Sequence, residues 1–176
     1  MTLKKVVSGG QTGVDRAALD AALAAHFACG GWVTWDRLAE DGVIADRYPL
    51  TPLPKGGYRQ RTRLNVADSN GTAIIFNEIL KGGSRLTRNL CALEKKPYIL
   101  IRAQETSDPI EAAGAILKFI DDHQIEVLNV SGPRASGWAD GYRFSLEVIS
   151  RVISAVTARG LRYGEPLGGR PDSYQL

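Results

Sequence analysis

Short apolar segments rich in β-branched residues alternate with longer segments of helical spacing along most of this chain. Such alternation is typical of parallel strands joined by right-handed helical crossovers. The pattern therefore predicts an α/β fold with three layers, in which helices cover both faces of a parallel sheet.

The predicted strands are short, apolar and β-branched, and they cover residues 4–8, 32–34, 72–77, 98–102 and 126–130. The predicted helices cover residues 14–26, 59–69, 84–94, 110–123 and 142–158. Glycines and prolines punctuate residues 29–58, so we expect a long ordered loop there, which inside a compact domain is usually functional or mobile.

The length of 176 residues suits one domain, which we place at residues 1–159, followed by an irregular tail at 160–176. The net charge of +3 is scattered, so nucleic-acid binding is not expected. Residues 1–5 lack the apolar region of a signal peptide, and no apolar run reaches membrane-spanning length. We therefore expect a cytoplasmic protein, not bound to a membrane, in which Cys29 and Cys91 are reduced thiols.

Ligands of open parallel sheets bind beyond the carboxyl ends of the strands. That rule selects three loops, and the first is a glycine-rich turn, SGGQTGVDR, that starts at Ser8. Its glycines would let a ligand approach the backbone, and free N–H groups at the following helix start would attract an anion. Gln11 and Thr12 add an amide and a hydroxyl. The alternative is a tight strand-to-helix turn without a ligand, and the loop matches neither a Walker A motif nor a dinucleotide fingerprint.

Two charged residues follow in that turn, and their roles stay open. Asp15 is favourable at a helix start through the dipole alone, or it could hold a substrate hydroxyl or a metal-bound water. Arg16 could pair with Asp15 or a neighbour, or it could reach the charge of a ligand.

The second loop begins at Asn77 and places Gly82 and Gly83 before a helix, with Ser84 as a candidate N-cap. The third loop offers Ser131 and Arg134 as candidate ligand contacts, because a guanidinium matches phosphate geometry, although Arg134 could equally be an ordinary surface residue. We expect the first two loops to lie at neighbouring strand ends, where they could hold two ends of one ligand.

Six segments carry a family resemblance that runs from Val6 to about Arg151: SGGQTGVDRAALD, GGW, AEDGVIADRYPL, QRTRLNVADSNGT, GGSRLT and LNVSGPRAS. Together they resemble the molybdenum carrier family, which is related to the Lonely guy phosphoribohydrolases and the DNA-processing protein DprA. The resemblance implies a Rossmann-like fold, homo-oligomerisation and a site for a phosphorylated small molecule. The implied ligand is the molybdenum cofactor, molybdopterin, with a phosphate-bearing nucleotide as the alternative.

By position, the resemblance assigns an anion site to residues of the first loop: Gly9, Gly10, Gln11, Thr12, Gly13, Asp15 and Arg16. It assigns a second cradle to Gly82, Gly83, Ser84 and Thr87. Glu40 and Asp41 of the AEDG segment could face the ligand or be solvated loop charges, and Arg61 and Thr62 could contact ligand or a neighbouring subunit.

The related phosphoribohydrolases use a P-G-G-x-G-T-x-x-E motif, whose third glycine and glutamate this chain lacks at Gly82–Cys91. We therefore expect a binding or carrier protein. The alternative is a nucleotide-processing enzyme that hydrolyses an N-glycoside or a phosphate ester, with Asp15, Glu40 and Asp41 as acid/base candidates. His26 and His123 have no partner at ligand spacing, so no protein-bound metal is expected.

Overall fold

The computed structural model describes residues 3–162. Its strands are Lys5–Val7 (β1), Cys29–Gly30 (β2), Trp32–Val33 (β3), Leu38–Ala39 (β4), Gly42–Val43 (β5), Thr51–Pro52 (β6), Gly71–Phe76 (β7), Tyr98–Arg102 (β8) and Val127–Ser131 (β9). Its α-helices are Val14–Ala24 (α1), Tyr58–Ala67 (α2), Gly82–Leu93 (α3), Pro109–His123 (α4) and Gly141–Arg162 (α5), and a 3₁₀ turn spans Ala135–Gly137.

Five parallel strands form the main sheet in the order β2-β1-β9-β7-β8. Alternate residues of a strand point to opposite faces, so β7 supports a core on each side. Ala73 and Ile75 pack in the larger cluster with α1, α4 and α5, whereas α2 and α3 pack together through Val66, Leu90 and Cys91. The predicted Rossmann-like α/β fold is confirmed.

The segment 29–58 contains more structure than its composition predicts. Cys29–Gly30 is the edge strand of the main sheet, β3 pairs with β6, and β4 pairs with β5 in an antiparallel hairpin. Val33, which was predicted as part of a strand, is buried in a second core cluster beneath this segment.

A single guanidinium organises much of that segment. Arg37 donates to four backbone carbonyl oxygens, those of Ile44 (3.4 Å), Ala45 (3.2 Å), Tyr48 (3.3 Å) and Leu50 (2.9 Å). These bonds satisfy backbone groups without a regular ladder, and therefore the segment is ordered without showing the periodicity of strands or helices.

The last helix, α5, ends at Arg162, four residues beyond its predicted end. Most of the predicted irregular tail, residues 163–176, lies outside the described residues. Cys29 and Cys91 are both free thiols, as expected. Within residues 3–162, no helix has the length and apolar character needed to cross a membrane.

Candidate functional site

Three loops meet at the carboxyl edge of the sheet, after β1, β9 and β7. The chain leaves β1 towards β2 on one side of the sheet and leaves β7 towards β8 on the other. This change of direction produces the crevice in which open α/β sheets bind ligands. The predicted adjacency of the first two glycine loops is wrong in detail, because β9 lies between β1 and β7.

Several backbone N–H groups of the first glycine loop and of the helix start after it already donate hydrogen bonds within the protein. Val14 N–H, at the start of α1, donates to Pro133 O at 3.2 Å, and Arg16 N–H donates to Gln11 O at 2.9 Å. Thr12 N–H donates to Gln11 Oε1 at 3.0 Å. The expectation that the amides at this helix start are free is therefore wrong for these groups, because the chain itself caps them.

Glycines of the first loop make room for protein neighbours. A Cβ at Gly9 would lie 1.6 Å from Arg61 Nη1, and a Cβ at Gly13 would lie 2.5 Å from Pro133 O. Gly13 also has φ +77°, a conformation that side chains with a Cβ rarely adopt. These two glycines are explained by internal packing without any ligand.

Asp15 lies beneath this loop in a buried ion pair. Its Oδ2 accepts a bond from Arg61 Nη1 at 3.3 Å, while Oδ1 is buried without a hydrogen bond of normal geometry. Burial raises the pKa of Asp15, and the Arg61 charge together with the N–H groups of Gln11 and Gly132 opposes that rise. Asp15 is therefore an interior residue that contacts Arg61, and Arg16 is not its partner.

Glu40 reaches the first loop from the tip of the β4–β5 hairpin. Thr12 donates its hydroxyl to Glu40 Oε1, and Ser136 donates its N–H to Oε1 at 3.1 Å and its hydroxyl to Oε2 at 2.7 Å. The hydroxyls of Thr12 and Ser136 hold the pKa of Glu40 below its ordinary value. Arg134 Nε lies 3.8 Å from Oε2, at the edge of ion-pair distance.

Asp41, the other residue at the hairpin tip, pairs with Arg16. Two bonds of 3.2 Å join Arg16 Nη1 and Nη2 to the two carboxylate oxygens. Arg16 Nε donates to Gly10 O at 3.1 Å. The hairpin tip is thus held by two donors that the sequence suggested for an anionic ligand, the Thr12 hydroxyl and the Arg16 guanidinium. Gln11, the amide suggested with them, instead accepts from the Glu40 N–H at 2.8 Å through its Oε1.

The second glycine loop is open where the first is filled. Among residues 3–162, no side chain caps α3, and a Cβ at Gly82 or Gly83 would meet nothing within 4 Å. The first backbone bond at this helix end is donated by Arg85 to Lys81 O at 3.4 Å, so the N–H groups before it are left for solvent or a ligand.

Hydroxyls lie beside this open turn. Thr87 Oγ1 donates to Gly83 O at 3.0 Å and lies 3.1 Å from Ser131 Oγ, which joins the second loop to the third. The prediction that Ser84 is the N-cap is wrong, because the helix begins two residues earlier and Lys81 is the cap. Ser84 is buried in the first turn, and Asn77 is half-buried just after β7.

The predicted residues therefore divide into two groups. Over the first loop, Thr12 contacts Glu40 and Arg16 contacts Asp41. In the second loop, which holds Gly82, Gly83 and Ser84, the Thr87 hydroxyl contacts both Gly83 O and Ser131 Oγ. Ser136 was not predicted as a site residue, although it is the last residue of the segment LNVSGPRAS. In residues 3–162, the structure brings together no group of three or more His, Cys, Asp or Glu residues that could hold a metal.

The family model described as the circularly permutated YpsA SLOG family matches residues 6–153. A solved structure named "Putative molybdenum carrier protein", from Syntrophus aciditrophicus SB, is 41% identical and superimposes with a TM-score of 0.83. The match covers 86% of this chain and 96% of that one. No curated protein matches the chain. The extent of both matches means that the chain belongs to the circularly permutated YpsA SLOG family, the molybdenum carrier family that its motifs resemble.

Proposed function

We propose that this protein is a carrier that holds a phosphorylated small molecule in the crevice between the loops after β1, β9 and β7, without turning it over. The molybdenum cofactor, through the phosphate of its pterin, is the proposed ligand, and the alternative is a phosphate-bearing nucleotide. The related protein named as a molybdenum carrier supports this ligand class.

The observation that carries the proposal is the uncapped first turn of α3. A helix N-terminus with free N–H groups and no side chain in front of it binds phosphate through its amides and its dipole. At Gly82 and Gly83 an added Cβ would contact no atom of the part of the chain that the structure describes, so packing within that part does not explain why both positions lack a side chain. The backbone conformation of Gly83 does not itself require glycine. The close approach of a phosphate would explain why Gly83 has no side chain.

The donors around this turn fit a pterin phosphate or a nucleotide. The amides of Gly83 and Ser84 would hold the phosphate, and the hydroxyl of Ser131 would donate to its oxygens or to a ring substituent. Thr87 is buried and its hydroxyl donates to Gly83 O, so it would position Ser131, whose Oγ lies 3.1 Å away. Asn77 offers an amide at the same strand end. When bound, the cofactor would supply molybdenum held by its own dithiolene, and the chain's residues would bind and orient its phosphate.

The hydrogen-bond partners of the three candidate carboxylates favour ligand binding over catalytic turnover. A catalytic acid or base must reach the substrate within hydrogen-bond distance. Asp15 is instead paired with Arg61 in the interior, Glu40 accepts bonds from Thr12 and Ser136, and Asp41 is held by Arg16. These three acid/base candidates are therefore engaged in contacts within the protein.

The experiment is a calorimetric titration with inorganic phosphate, a nucleoside monophosphate and a pterin phosphate, combined with mass spectrometry of any ligand released on denaturation. Gly83→Val should fill the open turn and weaken binding at least tenfold. The matched control is Gly114→Val, since Gly114 is exposed in α4 and its added side chain also meets open space.

Two results would count against the proposal. If no phosphate compound binds the wild-type protein, or if Gly83→Val binds as tightly as Gly114→Val, the α3 turn is not the site. Release of free base or phosphate from a nucleoside monophosphate would favour the hydrolase alternative.

A further inference from the structure

The β4–β5 hairpin has little apolar attachment to the rest of the protein. Its strands are two residues long, and the outer pair Leu38 and Val43 are 43% and 72% exposed. Isolated hairpins of this size are marginally stable in water. The polar contacts of its tip and the packing of Ala39 on the second core cluster hold it against the rest of the protein.

Those tip contacts are polar, and the two tip carboxylates accept only from donors suited to an oxyanion. The Glu40 N–H makes a further contact in the opposite sense, donating to Gln11 Oε1 at 2.8 Å. Glu40 accepts bonds from the hydroxyls of Thr12 and Ser136 and from one amide, and Asp41 accepts two bonds from Arg16. A phosphate presents the same acceptor chemistry as a carboxylate, with one more oxygen and more charge. The two hairpin carboxylates thus accept hydrogen bonds from donors that could instead bind the oxygens of a phosphate group.

Breaking these contacts also costs little free energy. The Asp41 side chain is 51% exposed, and ion pairs that water can reach contribute little to stability. The Glu40 side chain is more enclosed, at 21% exposed, but its bonds come from Thr12 and from the exposed residue Ser136. Release of the tip would therefore expose the donors at the cost of the packing of half-buried Ala39 on the second core cluster, while none of residues 38–43 is a buried member of a core cluster.

We propose that the β4–β5 hairpin is a strap whose residues Glu40 and Asp41 serve as an internal anion, masking the donors of Thr12, Arg16 and Ser136 until a phosphate-bearing ligand displaces them. This inference rests on the proposed function, since it describes how access to the same crevice is regulated. The masked donors lie at the β1 and β9 loops, apart from the α3 turn, so the two binding elements can be tested separately.

The test is a phosphate titration of Glu40→Gln/Asp41→Asn, which removes both charges while keeping the side-chain shapes. The variant should bind inorganic phosphate at least tenfold more tightly than wild type or bind a second equivalent. Adding Thr12→Val should abolish that gain, whereas adding Gly83→Val should leave the gain intact. Glu147→Gln is the matched control, because it removes one acidic charge from an exposed i,i+4 pair on α5.

A second measurement uses the wild-type protein. Saturating phosphate should accelerate amide hydrogen exchange of residues 38–43, because the tip is released, and Glu40→Gln alone should show the faster exchange without phosphate. Exchange that is unchanged by phosphate, together with equal phosphate affinity of the double variant and wild type, would overturn the strap. If the strap is overturned in this way but wild-type protein still binds phosphate and loses it on Gly83→Val, the proposed function is retained. If neither the wild type nor any variant binds phosphate, the strap and the proposed function are both overturned.

Discussion

Arg61 and Asp15 form an ion pair in the interior beneath the first glycine loop, with Nη1 and Oδ2 3.3 Å apart and side chains only 12% and 4% exposed. The two residues are 46 positions apart in the sequence. Gly9 allows this pair to form, because the guanidinium occupies the space where a Cβ would be. The pair therefore fixes α2 against the start of α1 just below the candidate site.

We expect Arg61→Met to lower the free energy of unfolding at pH 7 by about 3–5 kcal/mol, because it leaves Asp15 as an uncompensated buried charge. The double variant Arg61→Met/Asp15→Asn should recover most of that loss, since no charge then remains. Urea unfolding of the two variants measures both values. Equal destabilisation in the single and double variants would contradict a charge-based role for the pair.

The raised pKa of Asp15 predicts a specific pH dependence. A carboxyl whose pKa is higher in the folded than in the unfolded state contributes stability that is fully present below its ordinary value of 3.8 and is lost as the pH rises through the folded pKa. Asp15→Asn should lack this component. Urea unfolding from pH 3.5 to pH 8 should therefore show a loss of stability in the wild type that is smaller in the variant, and parallel curves would refute the assignment.

The two glycine loops should respond in opposite ways to an added methyl group. Gly13→Ala should destabilise the protein by at least about 1–3 kcal/mol, because φ +77° is strained for alanine and the Cβ meets Pro133 O. Gly83→Ala should be neutral or stabilise by up to about 0.5–1 kcal/mol, since its Cβ meets open space and alanine favours the helix. Thermal unfolding compares them, and similar losses at both positions would show that the second loop is packed.

Tyr142 should ionise unusually late. Its hydroxyl donates to Asp20 Oδ2 at 2.8 Å, and burial together with this carboxylate raises its pKa to about 12. Tyr142→Phe should remove one late-ionising phenol from the ultraviolet absorbance titration, and Asp20→Asn should shift that phenol to lower pH. A titration that Tyr142→Phe changes only near pH 10 would contradict the contact with Asp20.

The sequence alone predicted the helices and four of the five strands of the main sheet, where local pattern and burial agree, and missed the edge strand Cys29–Gly30. Tyr98–Arg102 was predicted at its observed bounds, and the helix at Pro109–His123 was misplaced by one residue. Segment 29–58 was harder, because Arg37 and short strand pairs organise it and neither leaves a periodic pattern.

For the candidate site, the sequence identified the glycine-rich loops and the polar residues within them, because residue type sets which backbone and hydrogen-bonding chemistry is available. Tertiary structure decided which loop is open. Pro133 O caps Val14 and Arg61 fills the space at Gly9, whereas a Cβ added at Gly83 would meet no atom of the described residues within 4 Å. These differences depend on groups brought together from distant parts of the chain, so packing of the folded protein, and not local sequence, determines where a ligand could be received.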